Sequence, residues 1–286
     1  MPQSNQPKHP RKPNLHHKEH RRSVAVVYAL LRLSVILVLI AQVFNQNFEN
    51  VLLCVLTLFL FMLPSLFERR LHIDLPDTLE IIILLFIYAA EILGEIRAYY
   101  IEFPYWDTML HTMNGFLCAA IGFALVDILN REERVTVRLS PFFMAIVAFC
   151  FSMTIGVLWE FFEFAMDHLV LFDMQKDTII NTISTVNLDP NHGTRAVIIR
   201  DIQDVILVLG DGTQQALGLG GYLDVGIIDT MKDLFVNFIG AVVFSIIGFF
   251  YVKSRGKGRF ARRFIPQVLS PEEEKAPDQD TENDHT

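Results

Sequence analysis

The sequence predicts an all-α polytopic membrane protein with six transmembrane helices and a small extracytoplasmic loop, read as β-containing, between the fifth and sixth. Three observations predict it. Of the 286 residues 52% are hydrophobic, and the mean hydropathy is +0.36, too apolar for an ordinary soluble domain. The apolar residues are gathered in runs of about 20, the length that crosses a bilayer as a helix. Among the short connections between those runs, basic residues are confined to alternate ones, as the positive-inside rule requires.

Residues 1–23 are polar and basic, with Lys8, Arg11, Lys12, Lys18, Arg21 and Arg22, and read as a cytoplasmic tail. His9, His16, His17 and His20 lie in it and fit contact with anionic lipid head groups. The same charge satisfies membrane orientation, so nucleic-acid binding is not inferred. VAVVYALLRLSVILVLIAQVF, about 24–44, reads as an uncleaved first span: it is too long for a signal-peptide core, and no small-x-small site follows. Arg32 inside it must face protein or reach for the interface.

Spans two to six cover about 50–67, 78–98, 108–128, 141–165 and 233–252, so that 24–252 forms one membrane domain. Pro64, Pro76, Pro104 and Pro141 stand near span ends, where proline is tolerated. Connections 68–77 and 129–140 carry Arg69, Arg70, Arg131, Arg134 and Arg138, whereas 45–49 and 99–107 carry no Lys or Arg. A multi-pass protein of the plasma (inner) membrane with both termini in the cytoplasm follows. The tail 253–286 begins basic and ends PEEEKAPDQDTENDHT. It reads as disordered, and its acids supply many of the negative charges behind the net charge of -8. Cys54, Cys118 and Cys150 each sit in an apolar run and read as buried thiols, without a disulfide or zinc pattern.

The connection 168–228 is extracytoplasmic in this topology. TIINTISTV and AVIIRDIQDVILVLG alternate β-branched residues, with turn signals at Asn191-His192-Gly193 and Asp211-Gly212. It reads either as a small β-rich cap or as a flexible return to the membrane. The Gly-rich GLGGYLDVG (218–226) permits close backbone approach.

Polar residues cluster at the outer ends of four spans. Asp107 and His111 open the fourth; Glu160, Glu163 and Asp167 close the fifth; Asp229, Asp233 and Asn237 open the sixth; Glu91 and Glu95 close the third. Each set steps by three or four residues and so shares a helical face. Small residues beneath them (Gly115, Ala119, Gly122, Gly156, Gly240 and Ala241) allow close helix approach. Acids at the edge of hydrocarbon need neutralising, by cations, protons or basic partners. Arg97 and Lys232 at this depth, with Arg195 and Arg200 in the loop, are the basic candidates. A divalent metal ion held by carboxylates and one imidazole is the economical solution. His111, Glu160, Asp229 and Asp233 are then the expected ligands, Glu163 the catalytic base, and Asp107, Asn237, Glu95 and Asp167 the orienting residues. Plainer roles compete: helix capping for Asp107 and Asp229, an aqueous rim for Glu91, Glu160, Glu163 and Asp167, solvated loops for His72, His168 and His192, and interfacial anchoring for Trp106 and Trp159.

WDTMLHTMNG, GVLWEFFEFAMD and DVGIIDTMKDLFVNFIGA together resemble the YjdF-like family of bacterial inner-membrane proteins, over about 75–250, with a more distant similarity to VanZ-like membrane proteins. The motifs map onto Asp107, His111, Gly115, Trp159, Glu160, Glu163, Asp229, Asp233 and Asn237. The resemblance implies a membrane location and brings no biochemical activity with it. Three functional classes stay open: a divalent-metal-dependent enzyme acting on an envelope lipid or lipid-linked headgroup, a cation- or proton-binding transporter or sensor, and an accessory protein whose polar cluster clamps helices together. Membrane lipids are the expected partners.

Overall fold

The computed structural model describes residues 15–71, 73–131, 139–254, 263–265 and 267–268. Expectations for His9, His72, Arg134, Arg138 and the acidic end concern residues outside that set.

Helix α1 (Leu15–Phe44) carries the first expected span and continues it toward the N-terminus. Arg32 lies within it, its guanidinium 4.8 Å above the Tyr28 ring, a cation–π seat that keeps the charge on protein. Helix α2 (Phe48–Leu60) is capped by Asn47, whose side chain accepts the Asn50 N–H. A turn at Phe61–Met62 separates it from α3 (Leu63–Leu71) just ahead of Pro64. Helix α4 (Asp77–Tyr88) begins after Pro76 and runs without a break into a π-helical segment, Ala89–Ile96. A single turn, α5 (Tyr99–Glu102), leads to α6 (Trp106–Arg131). Helix α7 (Pro141–Ala165) has Ser140 as its cap and proline in its first turn, where no amide partner is lost. It extends as a second π-helical segment, Met166–Val170, which ends at Leu171 in the left-handed conformation. Helix α8 is Ile227–Lys253.

Among the described residues, five helical stretches are long and apolar enough to cross a membrane: Ser23–Phe44, Phe48–Arg70, Trp106–Asn130, Pro141–Val170 and Ile227–Lys253. Their outward faces are lined by exposed Leu30, Leu37, Leu52, Phe161 and Phe235, a surface that suits lipid and not water. The segment expected as the third span is helical, Asp77–Ile96, but it carries Asp77, Glu80, Glu91 and Glu95 and is not one of the five.

In lipid the surroundings are as apolar as a core, so helices associate through close packing and hydrogen bonds. Helices α6, α7 and α8 do so around small residues. A Cβ on Gly115 would collide with the Asn237 backbone, and one on Gly240 with the Thr112 carbonyl and the Phe116 amide. Gly156 lies against the Asn237 side chain. Across this seam Ser152 Oγ donates to the Gly115 carbonyl at 2.7 Å and Asn114 Nδ2 to Asn237 Oδ1 at 3.1 Å. Below it Leu117, Ala120, Phe123, Ala148, Ala241 and Phe244 form a closed core. A second core joins α1, α2 and α4 through Val35, Cys54, Phe61, Leu84 and Ile92. Cys54 is buried as expected, whereas Cys150 is exposed, on the outward face of α7.

Of the C-terminal segment expected as a tail, residues 263–265 and 267–268 are described. Phe264 and Ile265 are buried beside Leu75 and Leu79, and β8 (Gln267–Val268) pairs antiparallel with β1 (Ile73–Asp74). These apolar residues have a core to join.

Between α7 and α8 lie three antiparallel pairs: β2 (Ile179–Ile180) with β7 (Tyr222–Leu223), β3 (Ile183–Thr185) with β4 (Val197–Ile199), and β5 (Ile206–Val208) with β6 (Gln214–Ala216). The β-containing reading therefore prevails, as separate two-stranded pairs. Asp189 orders the β3–β4 turn by accepting the amides of Asn191, Gly193 and Arg195.

Candidate functional site

Helices α6, α7 and α8 place their polar ends together. Asp107 and His111 are on the first two turns of α6, Glu160 and Glu163 on the last turns of α7, and Asp233 on the second turn of α8. Their side chains form two groups of donors, Asp107–His111–Asp233 and His111–Glu160–Glu163, within each of which the donor atoms all lie within 4.8 Å of one another. His111 joins them. Its Nε2 is 3.4 Å from Asp107 Oδ1 and its Nδ1 is 3.9 Å from Glu160 Oε1. Both separations exceed a good hydrogen bond.

The site is buried: Asp233 is 1% exposed, Glu160 4%, and His111 and Glu163 8% each. Two carboxylate oxygens, Glu160 Oε2 and Asp233 Oδ1, have no hydrogen-bond partner. An unsatisfied buried polar atom costs about 1–3 kcal/mol, and more when charged. Some of the other oxygens are engaged. Trp159 Nε1 donates to Glu163 Oε1 at 2.9 Å. Thr230 lies beside the Glu160 carboxyl, and Asp107 beside Asp233. The tryptophans thus do more than anchor at an interface: Trp159 fixes Glu163, and Trp106 donates to the Ala89 carbonyl, at the start of the first π-helical segment.

Other expected site residues play different parts. Asp229, expected as a ligand, belongs to neither group. Its Oδ2 accepts the Lys176 amide at 2.9 Å and its Oδ1 lies 3.6 Å from Lys232 Nζ. Asp167 does not orient the cluster either, because its two oxygens accept the amides of Met174 and Gln175 at 2.6 and 2.9 Å. Both residues instead pin the segment 174–176 at the cluster's end of the bundle. Neither Asp107 nor Asp229 is a helix cap: each lies inside its helix, and Asp224 takes the Ile228 amide at the start of α8. Asn237 lies below the acids, in the helix seam with Asn114 and Met153. Glu95 stands on the rim, outside both groups, and Glu91 lies one turn before it.

Four contributors escaped the spacing argument. Gln175 is buried and its Nε2 donates to Thr230 Oγ1, linking the pinned segment to α8. Gly226, in the left-handed conformation at φ +77°, lets the backbone pass within 2.6 Å of Gln175 Cβ, measured from where its own Cβ would be. Asn114 locks Asn237. Tyr100 packs its ring over Gly94. Burial, followed by the charges of Glu95, Asp107, Glu91 and Glu163, holds its phenol well above the usual range, so the hydroxyl keeps its proton beside the acids. Tyr100 and Gln175 reach the site through connections whose course no periodicity announces.

Five ionisable groups on three helices, with donor atoms at ligand-to-ligand spacing and two orphaned oxygens, suit a cation of the kind bound by carboxylates and imidazole. Beneath them lie the glycine seam, with buried Asn237 and Ser152 in it, and the Phe123–Phe244 core, with buried Ser245 next to Phe244 on α8.

Known proteins place the chain without assigning it an activity. A protein of Thermotoga maritima, itself uncharacterised, is 24% identical over 124 residues, which is 42% of this chain and 62% of that relative. No solved structure matches. Residues 27–187, more than half of the chain, match the family described as "Predicted membrane protein (DUF2238)". That stretch includes Asp107, His111, Glu160 and Glu163 and stops short of α8. The YjdF-like and VanZ-like labels remain resemblances. On the extent of this match, the chain belongs to the DUF2238 family of predicted membrane proteins.

Proposed function

We propose that this protein is a membrane-embedded enzyme that holds a divalent cation among Asp107, His111, Glu160, Glu163 and Asp233 and uses it on the headgroup of an envelope lipid. The observation that carries the reading is the pair of buried, unpartnered oxygens, Glu160 Oε2 and Asp233 Oδ1, inside a carboxylate–imidazole cluster. A cation there removes both penalties at once. It would also polarise a headgroup oxygen and activate a water molecule. Glu163, held on one oxygen by Trp159, keeps its other oxygen for the cation or for the proton of that water.

The packed Phe123–Phe244 core below the site favours a blind pocket over a transport path. An apolar groove of about 480 Å³ between α6 and α8, lined by Tyr105, Met109, Met113, Phe116 and Val243, lies along the same helices and favours a lipid as the neighbour acted on. The reading includes a sixth crossing by Asp77–Ile96, since a helix of that length spans roughly 30 Å and packs against α1, α2 and α6. Both termini then lie on one side, the cytoplasmic one by the positive-inside rule.

Metal analysis of the purified full-length protein tests this. Wild type is expected to retain a divalent ion that His111→Ala and Asp233→Ala lose. A cell lacking the protein is expected to show an altered envelope-lipid profile that wild type restores and Asp233→Ala does not. Wild-type protein that takes up no metal, and is indifferent to chelators, would refute the cation. An unchanged lipid profile would refute the lipid chemistry.

A further inference from the structure

The cluster's donors fall into two groups, not one, and we propose that it binds two divalent cations side by side. The inference rests on the cation reading above and specifies its stoichiometry. One ion would sit between Asp107 and Asp233, the other between Glu160 and Glu163, with His111 at the boundary.

Three observations converge. First, the donors of one ion must lie within a few ångströms of one another. The described donors close within 4.8 Å as two separate triads, and the five residues do not form a single group at that spacing. Second, each half has its own orphan: Asp233 Oδ1 in one and Glu160 Oε2 in the other. Both residues are more than nine-tenths buried. Third, the four carboxylates of the two triads carry four negative charges when ionised, of which one divalent ion compensates two. The lysines at this end face other acids: Lys232 Nζ lies 3.6 Å from Asp229, and Lys176 Nζ 3.7 Å from Asp173.

His111 fits between two ions and not across them. A neutral imidazole has one lone pair, so it can ligate one ion only, while its N–H points at a carboxylate of the other half. Asp107 faces Nε2 and Glu160 faces Nδ1. Paired divalent ions a few ångströms apart can grip both the attacking and the leaving oxygen of a phosphoester. The substrate class that makes use of two ions is thus a phosphate-bearing headgroup.

The test titrates metal-stripped full-length protein in detergent micelles with Mn²⁺, chosen because carboxylate oxygens dominate the donor set. Bound metal is counted by mass spectrometry and the spectrum followed by electron paramagnetic resonance. Two Mn²⁺ per chain with a spin-coupled spectrum are expected. Asp233→Asn and Glu163→Gln are each expected to bind one, with coupling abolished. Size-exclusion profile and melting temperature establish that each variant is folded, and Asp107→Asn stands in for Asp233→Asn if that variant is not. One uncoupled Mn²⁺ per wild-type chain would overturn the two-ion inference and leave the cation reading intact. No bound Mn²⁺ would overturn both.

Discussion

Gly115→Ala adds one methyl group at the point where α6 meets α8. The new Cβ would lie 2.8 Å from the Asn237 carbonyl carbon and 3.0 Å from its Cα, against 3.4–4 Å for ordinary contact. The carbonyl oxygen is closer still. The obstructing atoms are backbone, so no side-chain rotation relieves the clash. Helix α8 must retreat by about half an ångström or more, at a cost of about 1–3 kcal/mol for overpacking. The retreat also strains the Asn114–Asn237 and Ser152–Gly115 hydrogen bonds and moves Asp233, one turn along α8, away from Asp107. A loss of 1–3 kcal/mol lowers the melting temperature by roughly 2–10 °C for a chain of this order of size. Intrinsic fluorescence reports it, since Trp106 and Trp159 both flank the cluster. The control is Gly210→Ala, whose new Cβ meets nothing within 4 Å, with an expected effect below about 0.5 kcal/mol. If Gly115→Ala melts with wild type, the seam is not packed as described and the placement of Asp233 by that seam fails with it.

Two further outcomes follow. In Asp167→Asn, two charge-assisted hydrogen bonds to the Met174 and Gln175 amides become neutral ones. Their hydrogen exchange is expected to accelerate about tenfold, in step with about 1.4 kcal/mol, while the Thr178 amide, held by Asp224, stays as protected as in wild type; equal protection at Met174 and Gln175 in both proteins would show that Asp167 does not pin the segment. Tyr100 gives a pH signature. Its phenol is raised in the folded state, first by burial and then by the neighbouring acids, so its contribution to stability is full below about pH 10, the unfolded value, and falls as pH rises above it. Tyr100→Phe is expected to flatten the alkaline loss of stability seen in melts between about pH 9 and pH 11, and an unchanged alkaline slope would remove Tyr100 from the cluster's surroundings.

The sequence by itself determined the membrane class and the helices. A run of some 20 apolar residues has few alternatives in a bilayer, because every backbone amide must be satisfied within the segment. Hence α6, α7 and α8 cover or exceed the runs that announced them, and α7 begins at Pro141. Helical spacing also selected Asp107, His111, Glu160, Glu163 and Asp233, since residues three and four apart share a face. The alternation of α6, α7 and α8 brings their polar ends together whether or not Asp77–Ile96 is counted as a crossing.

Tertiary structure decided which acids meet. Asp229 shares a face with Asp233, yet it is spent on the Lys176 amide and on Lys232. Asp167 is likewise consumed by the loop it ties down. Periodicity gives the direction of a side chain from its own helix axis. It does not give the rotation of one helix against the next or the path of a connecting loop. Those depend on where two backbones can touch, at Gly115 and Gly240, and on where Gly226 lets the chain turn beneath Gln175.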